Sequence, residues 1–161
     1  MKKAALIATL IAATTLLSGC GGDEVGDVSL GAFTTKDIKL NSLVDPDVPG
    51  VTCHIASIEA NLSLADPSDS SISCRQTGEI TPEMIAQIDK SKSGEVVFKK
   101  SKSIFFKSMK IRRIFDAKHQ TLMYLSYSTK ETSGSFKHSL STVPLWGTKA
   151  YIAPAITEQH N

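Results

Sequence analysis

The chain has 161 residues, 18 of them Lys or Arg and 16 Asp or Glu, for a formal net charge of +2 at pH 7. So balanced a composition argues against a general nucleic-acid binder, which draws its affinity from an excess of cations over phosphate. The length suits one modest domain.

Lys2 and Lys3 precede the uncharged stretch 4–17, rich in Ala, Leu and Ile. A short apolar core behind a basic region predicts a secretory signal, too short and alanine-rich for a comfortable membrane span. Leu17-Ser18-Gly19-Cys20 then resembles the lipobox of bacterial lipoproteins. There a dedicated peptidase cuts before the cysteine, whose thiol carries a diacylglycerol thioether. The alternative is an ordinary cleaved signal and a chance cysteine. The expected division is a signal peptide over 1–19, a tether over 20–27, one domain over 28–147 and a poorly ordered tail over 148–161. Gly21 follows Cys20 where many inner-membrane lipoproteins carry aspartate. The resemblance therefore implies the outer membrane, with the domain facing the periplasm. Without Lys2 and Lys3, 16 basic side chains face 16 acidic ones, and the net charge is zero.

With Cys20 lipidated, Cys53 and Cys74 remain as a pair. An oxidising compartment favours a disulfide between them. It would close a loop of about 20 residues, worth roughly 3 kcal/mol in the chain-entropy model. A redox or metal pair would call for the close spacing of a CxxC site, which these cysteines lack.

A first strand is expected within 32–43, with Ile38 and Leu40 on one side. Asp45-Pro46-Asp47-Val48-Pro49-Gly50 is a turn by composition. Residues 51–57 and 72–77 read as short strands carrying Cys53 and Cys74, separated by the polar loop 66–71. Thr81 can cap a short helix, with Pro82 at its first position, Glu83 at its positive end and Met84, Ile85 and Ile88 on one face. Residues 94–128 are the one long run dense in β-branched and aromatic side chains. Val96 and Phe98 share a side there. From 105 to 115 the odd positions are Phe105, Lys107, Met109, Ile111, Arg113 and Phe115, and alternation is clean from Met109 to Arg112. The polar hexapeptide 116–121 predicts a hairpin connection, and beyond it Met123, Leu125 and Tyr127 fall on one side. Residues 140–146 suit a closing strand. The expected fold is mainly β, or α+β: one compact antiparallel sheet, sandwich or partly open barrel with one or two short helices.

The charge is polarised along the chain. Residues 20–89 hold 12 acidic and 3 basic side chains, and residues 90–161 hold 4 acidic and 13 basic ones, nets of −9 and +9. Packed in one domain, the halves attract or leave opposite faces on the surface.

Several segments together resemble the CreA family, small exported proteins of Gram-negative bacteria without an assigned biochemical role. They are Asp45-Pro46-Asp47-Val48 with Val51-Thr52-Cys53, Ile72-Ser73-Cys74, and Gly94-Glu95-Val96-Val97-Phe98-Lys99-Lys100. Phe106-Lys107-Ser108, Phe115-Asp116-Ala117-Lys118, Tyr124-Leu125-Ser126-Tyr127-Ser128 and Ser141-Thr142-Val143-Pro144 complete the set. The resemblance spans roughly 28–146 and implies an exported single domain whose two cysteines sit where a bridge is expected. The lipobox departs from the non-lipidated members of the family.

Candidate chemistry is sparse. Asp45 and Asp47, joined by Asp66 or Asp69, could offer calcium oxygen ligands, but no EF-hand-like loop is present and turn formation accounts for them. His54, His119, His138 and His160 show no metal-binding spacing. Lys107-Ser108 or Ser126-Tyr127-Ser128 could be imagined as a nucleophilic dyad, yet no G-x-S-x-G surrounds them. Neither cofactor nor metal is expected. The most suggestive feature is the basic series Lys99, Lys100, Lys102, Lys107, Lys110, Arg112 and Arg113. It could grip anionic lipid headgroups, lipopolysaccharide phosphates or an acidic envelope protein, or simply be a solvated sheet face. The expectation is a lipid-anchored, non-catalytic binding or accessory module. The alternative is an envelope hydrolase or small-ligand-binding enzyme.

Overall fold

The computed structural model describes residues 23–31, 34, 36–60, 70–98, 109–129 and 136–153. The elements are β1 (Asp23–Ser29), β2 (Lys36–Val44), β3 (Val51–Ala60), β4 (Ser70–Gln76), α1 (Pro82–Gln87), β5 (Glu95–Phe98), β6 (Met109–Asp116), β7 (Thr121–Ser128) and β8 (His138–Pro144). They form two four-stranded sheets in chain order, β1-β2-β3-β4 and β5-β6-β7-β8. Every neighbouring pair is antiparallel. The result is a compact, sandwich-like β fold, with β4 of the first sheet lying beside β8 of the second.

Alternation decides which side chains enter the core. On β3, Val51, Cys53 and Ile55 are buried, joined by Leu43 of β2 and by Ile72 and Cys74 of β4. The second sheet supplies Met109, Ile111, Leu122, Tyr124 and Val143. Val48, Ile80, Ile85, Ile88, Leu145 and Ala150 belong to the same cluster. Helix α1 starts at Pro82 as its sequence predicts. Thr81, however, makes no side-chain cap, and its carbonyl accepts from Ile85 N at 3.3 Å. Among the described residues no helix is long and apolar enough to cross a membrane.

Cys53 and Cys74 stand directly opposite each other on β3 and β4, and their sulfurs are joined, with the Cα atoms 3.9 Å apart. Cys74 N turns away from β3 and donates to Ser141 Oγ of β8 at 2.8 Å. This is a non-hydrogen-bonded pair, the closer of the two antiparallel spacings. The bridge therefore lies where the two sheets meet.

Two expectations are corrected. The stretch assigned to a tether over 20–27 contains most of β1. Its small acidic residues hide a strand that exists by pairing with β2, with a register shift between Glu24 and Gly26. The assigned tail over 148–161 begins docked: Ala150 is buried, its N–H donates to Ile80 O at 3.1 Å, and the Gln120 amide bonds both Ile152 N and Ile152 O. Residues 154–161 lie outside the described residues. On β7 Met123, Leu125 and Tyr127 share one side as the sequence predicts; that side is the half-exposed one, and Leu122, Tyr124, Ser126 and Ser128 are buried.

Candidate functional site

The same period that buries Met109 and Ile111 carries Arg113 inward, and its side chain is 1% exposed. A guanidinium in that position must find anions, because an uncompensated buried charge is costly. It finds three. Asp45, from the turn after β2 and 0% exposed, accepts from Nη1 at 2.5 Å. Nη2 bonds Asp47 at 3.0 Å and also Glu95.

Each partner is held by local chemistry. Asp45 Oδ1 also accepts from Asp47 N at 3.0 Å and Val48 N at 3.1 Å, the aspartate turn that its Asp-Pro-Asp setting favours. Its Oδ2 accepts from the Tyr124 hydroxyl at 2.6 Å. Glu95 sits opposite Arg113 in the β5–β6 register and accepts a second bond, from Asp89 N at 3.0 Å. Gly94 has φ +58°, and a Cβ there would stand 2.0 Å from Arg113 O. Only glycine lets β5 begin so close to the Arg113 backbone.

The cluster joins one guanidinium to three carboxylates. Asp45 and Asp47 come from the first sheet's turn, and Arg113, Tyr124 and Glu95 from the second sheet. Burial opposes the charge on Arg113, but Asp45, Asp47 and Glu95 outweigh it and hold the guanidinium above its ordinary value. Burial, then the charge of Asp45, pushes the Tyr124 phenol well above its ordinary value. Arg113 is therefore a fixed cation and Tyr124 a fixed donor. Arg113 Nε is buried and has no hydrogen-bond partner among the described residues. Asp47 and Glu95 remain 48% and 36% exposed, so the cluster's outer rim is anionic.

Arg113 thus leaves the basic surface on which its sequence neighbours place it: it faces inward and its charge is spent on carboxylates. Lys110 and Arg112 are on the opposite, outer phase of β6. Arg112 Nη1 donates to Ser93 O at 2.8 Å and Gly94 O at 3.0 Å. Lys99, Lys100, Lys102 and Lys107 lie outside the described residues, as do Cys20, Asp66, Asp69, Ser108 and His160. Asp45 and Asp47, considered as calcium ligands, share Arg113 instead. His54 is exposed on β3, His119 bonds Asp116 at 2.7 Å, and His138 bonds Phe136 O at 2.8 Å. The imagined triplet is split by alternation, with Ser126 and Ser128 inward and Tyr127 outward. Sequence reasoning missed Tyr124 as a partner of Asp45. The available signal was Arg113 itself, a charged residue on the apolar phase of a strand.

A family model described as CreA protein matches residues 25–148. Protein CreA of Escherichia coli strain K12 is 44% identical over 115 residues, covering 67% of this chain and 72% of that protein. Protein CreA of Escherichia coli O6:H1 and of Escherichia coli O157:H7 match with the same identity and coverage. No solved structure matches. The chain belongs to the CreA family.

Proposed function

We propose that this CreA-family chain is a lipid-anchored envelope protein, facing the periplasm from the outer membrane, that serves as a non-catalytic binding or accessory module. The anchor rests on Leu17-Ser18-Gly19-Cys20 behind a basic, then apolar, leader. Acyl chains contribute about 0.8 kcal/mol per buried methylene, so several of them make the attachment effectively permanent.

One observation carries the non-catalytic part. Asp45, the most buried carboxylate of the cluster, uses both oxygens on Arg113, Tyr124 and two backbone N–H groups. A general acid or base needs a proton-transfer partner in the substrate, whereas these bonds tie one sheet to the other. The proposed partner is an anionic envelope component or an envelope protein. It would meet the outer face of the second sheet, where Lys110 and Arg112 stand beside Met123, Leu125 and Tyr127.

Fractionation of cells carrying Cys20→Ala tests the anchor: the variant is expected in the soluble fraction, and retention with membranes contradicts it. In-cell crosslinking with Lys110→Glu and Arg112→Glu tests the face. Partner recovery should fall, and unchanged recovery counts against it.

A further inference from the structure

The first sheet is amphipathic in the wrong sense over its outer half. Cross-strand partners share a face, so the core-facing side of β3 continues through Cys53↔Leu43, Ile55↔Asn41 and Ser57↔Lys39. Beyond the core this side is polar. Lys39 pairs Asp27 at 2.5 Å and Glu24 at 3.3 Å. The side turned away from the core carries Val28, Ile38 and Ile58 in one row and Gly26, Leu40 and Ala56 in the next. Val28 is 51% exposed and Ile38, Leu40 and Ile58 are half-buried. A Cβ on Gly26 would stand 3.0 Å from Leu40 Cδ1, so the leucine fills the gap left by the glycine and keeps the surface continuous. Sheets with one solvated face put polar residues there. This ribbon does the reverse.

The chain itself indicates what covers that side. Cys20 precedes β1 by two residues, Gly21 and Gly22, and three Cα steps of 3.8 Å reach about 11 Å at most. On the lipid-anchor reading, on which this inference rests, β1 is held at headgroup level. We infer that the outward face of the β1–β2–β3 ribbon, Val28, Ile38, Leu40 and Ile58, lies on the bilayer that holds the Cys20 lipid. Glu24 and Asp27 do not oppose this contact, since both turn to Lys39 on the other face. Lys36, exposed at the ribbon's open end on the apolar phase, reaches headgroup phosphates. The anchor and this face together orient the domain, where a lipid on a loose tether would leave it free to tumble.

The test uses the full chain, matured in cells and reconstituted into phosphatidylethanolamine–phosphatidylglycerol vesicles with brominated acyl chains. Bimane is attached at Ile58→Cys, or at Lys118→Cys in the β6–β7 turn as the control, with the Cys53–Cys74 bridge left oxidised. Ile38→Cys gives the same reading from the neighbouring strand if Ile58→Cys does not fold. The expected result is loss of bimane emission at 58 or 38 and none at 118. Acylated, vesicle-bound protein unquenched at both 58 and 38 overturns the inference and leaves the anchor standing. An unmodified 20–36 peptide in the mass spectrum overturns both. Disulfide dimers through position 58 on mild oxidation, without lipid quenching, assign the face to a second copy and likewise overturn the inference.

Discussion

Replacing Arg113 by methionine keeps an unbranched apolar stem in the core and removes the guanidinium and its charge. Asp45, 0% exposed, then retains the Tyr124 hydroxyl and two backbone N–H donors, but no cation contacts it among the described residues. Breaking a buried pair in this way costs ~3–5 kcal/mol. Asp45→Asn is the milder change. The guanidinium keeps Asp47 and Glu95, and the asparagine oxygen still accepts the turn N–H groups, so the cost is about 1–3 kcal/mol. Urea denaturation measures both. With a slope of about 2 kcal/mol per M, Arg113→Met lowers the midpoint by roughly 2 M and Asp45→Asn by about half that. The double variant should cost less than the sum of the singles, because it removes the stranded carboxylate charge. Equal single costs, or a loss below about 1 kcal/mol for Arg113→Met, would refute the assignment of the cluster as the latch between the sheets.

Replacing Cys53 and Cys74 by serine should cost about 3 kcal/mol, and alkylation of the native protein should add two groups only after reduction; labelling without reductant contradicts the bridge. Gly94→Ala places a Cβ against Arg113 O in a left-handed backbone. It should lose at least ~1–3 kcal/mol of stability in the same assay, and an unchanged midpoint would show that β5 can shift freely. The raised Tyr124 phenol gives an alkaline prediction. The folded state keeps a proton that the unfolded chain loses near pH 10, so stability is complete below about pH 10 and falls as pH rises above it. In Tyr124→Phe that alkaline decline should be shallower, and an identical decline in both proteins would rule the phenol out.

Local chemistry made much of this fold legible. The cysteines were placed on two short strands, Pro82 marked the start of α1, and the turn at 45–50 was evident from two prolines and a glycine. The polarity of the chain also has a structural outlet: Asp45 and Asp47 of the acidic part meet Arg113 of the basic part, and Glu79 meets Lys149. Strand β1 was illegible because its residues, DEVGDVS, show no apolar alternation. What makes it a strand is the β2 ladder beside it. On β7 the apolar phase Met123, Leu125 and Tyr127 is the outer one, because a buried phenol bonded to a carboxylate fixes the inward phase from outside the strand. Arg113 was hidden among surface-like neighbours, although the odd phase shared with Met109 and Ile111 already placed it inside. Pairing it with Asp45, 68 residues away, needed the fold.

The account depends most on the fate of the first cysteine. Tryptic digestion of membrane-extracted protein should release the peptide 20–36, which runs from Cys20 to Lys36 with no internal Lys or Arg. Mass spectrometry is predicted to find it beginning at Cys20 and carrying diacylglycerol on the sulfur. The same peptide with a free thiol, or joined to the uncut leader, would contradict the account.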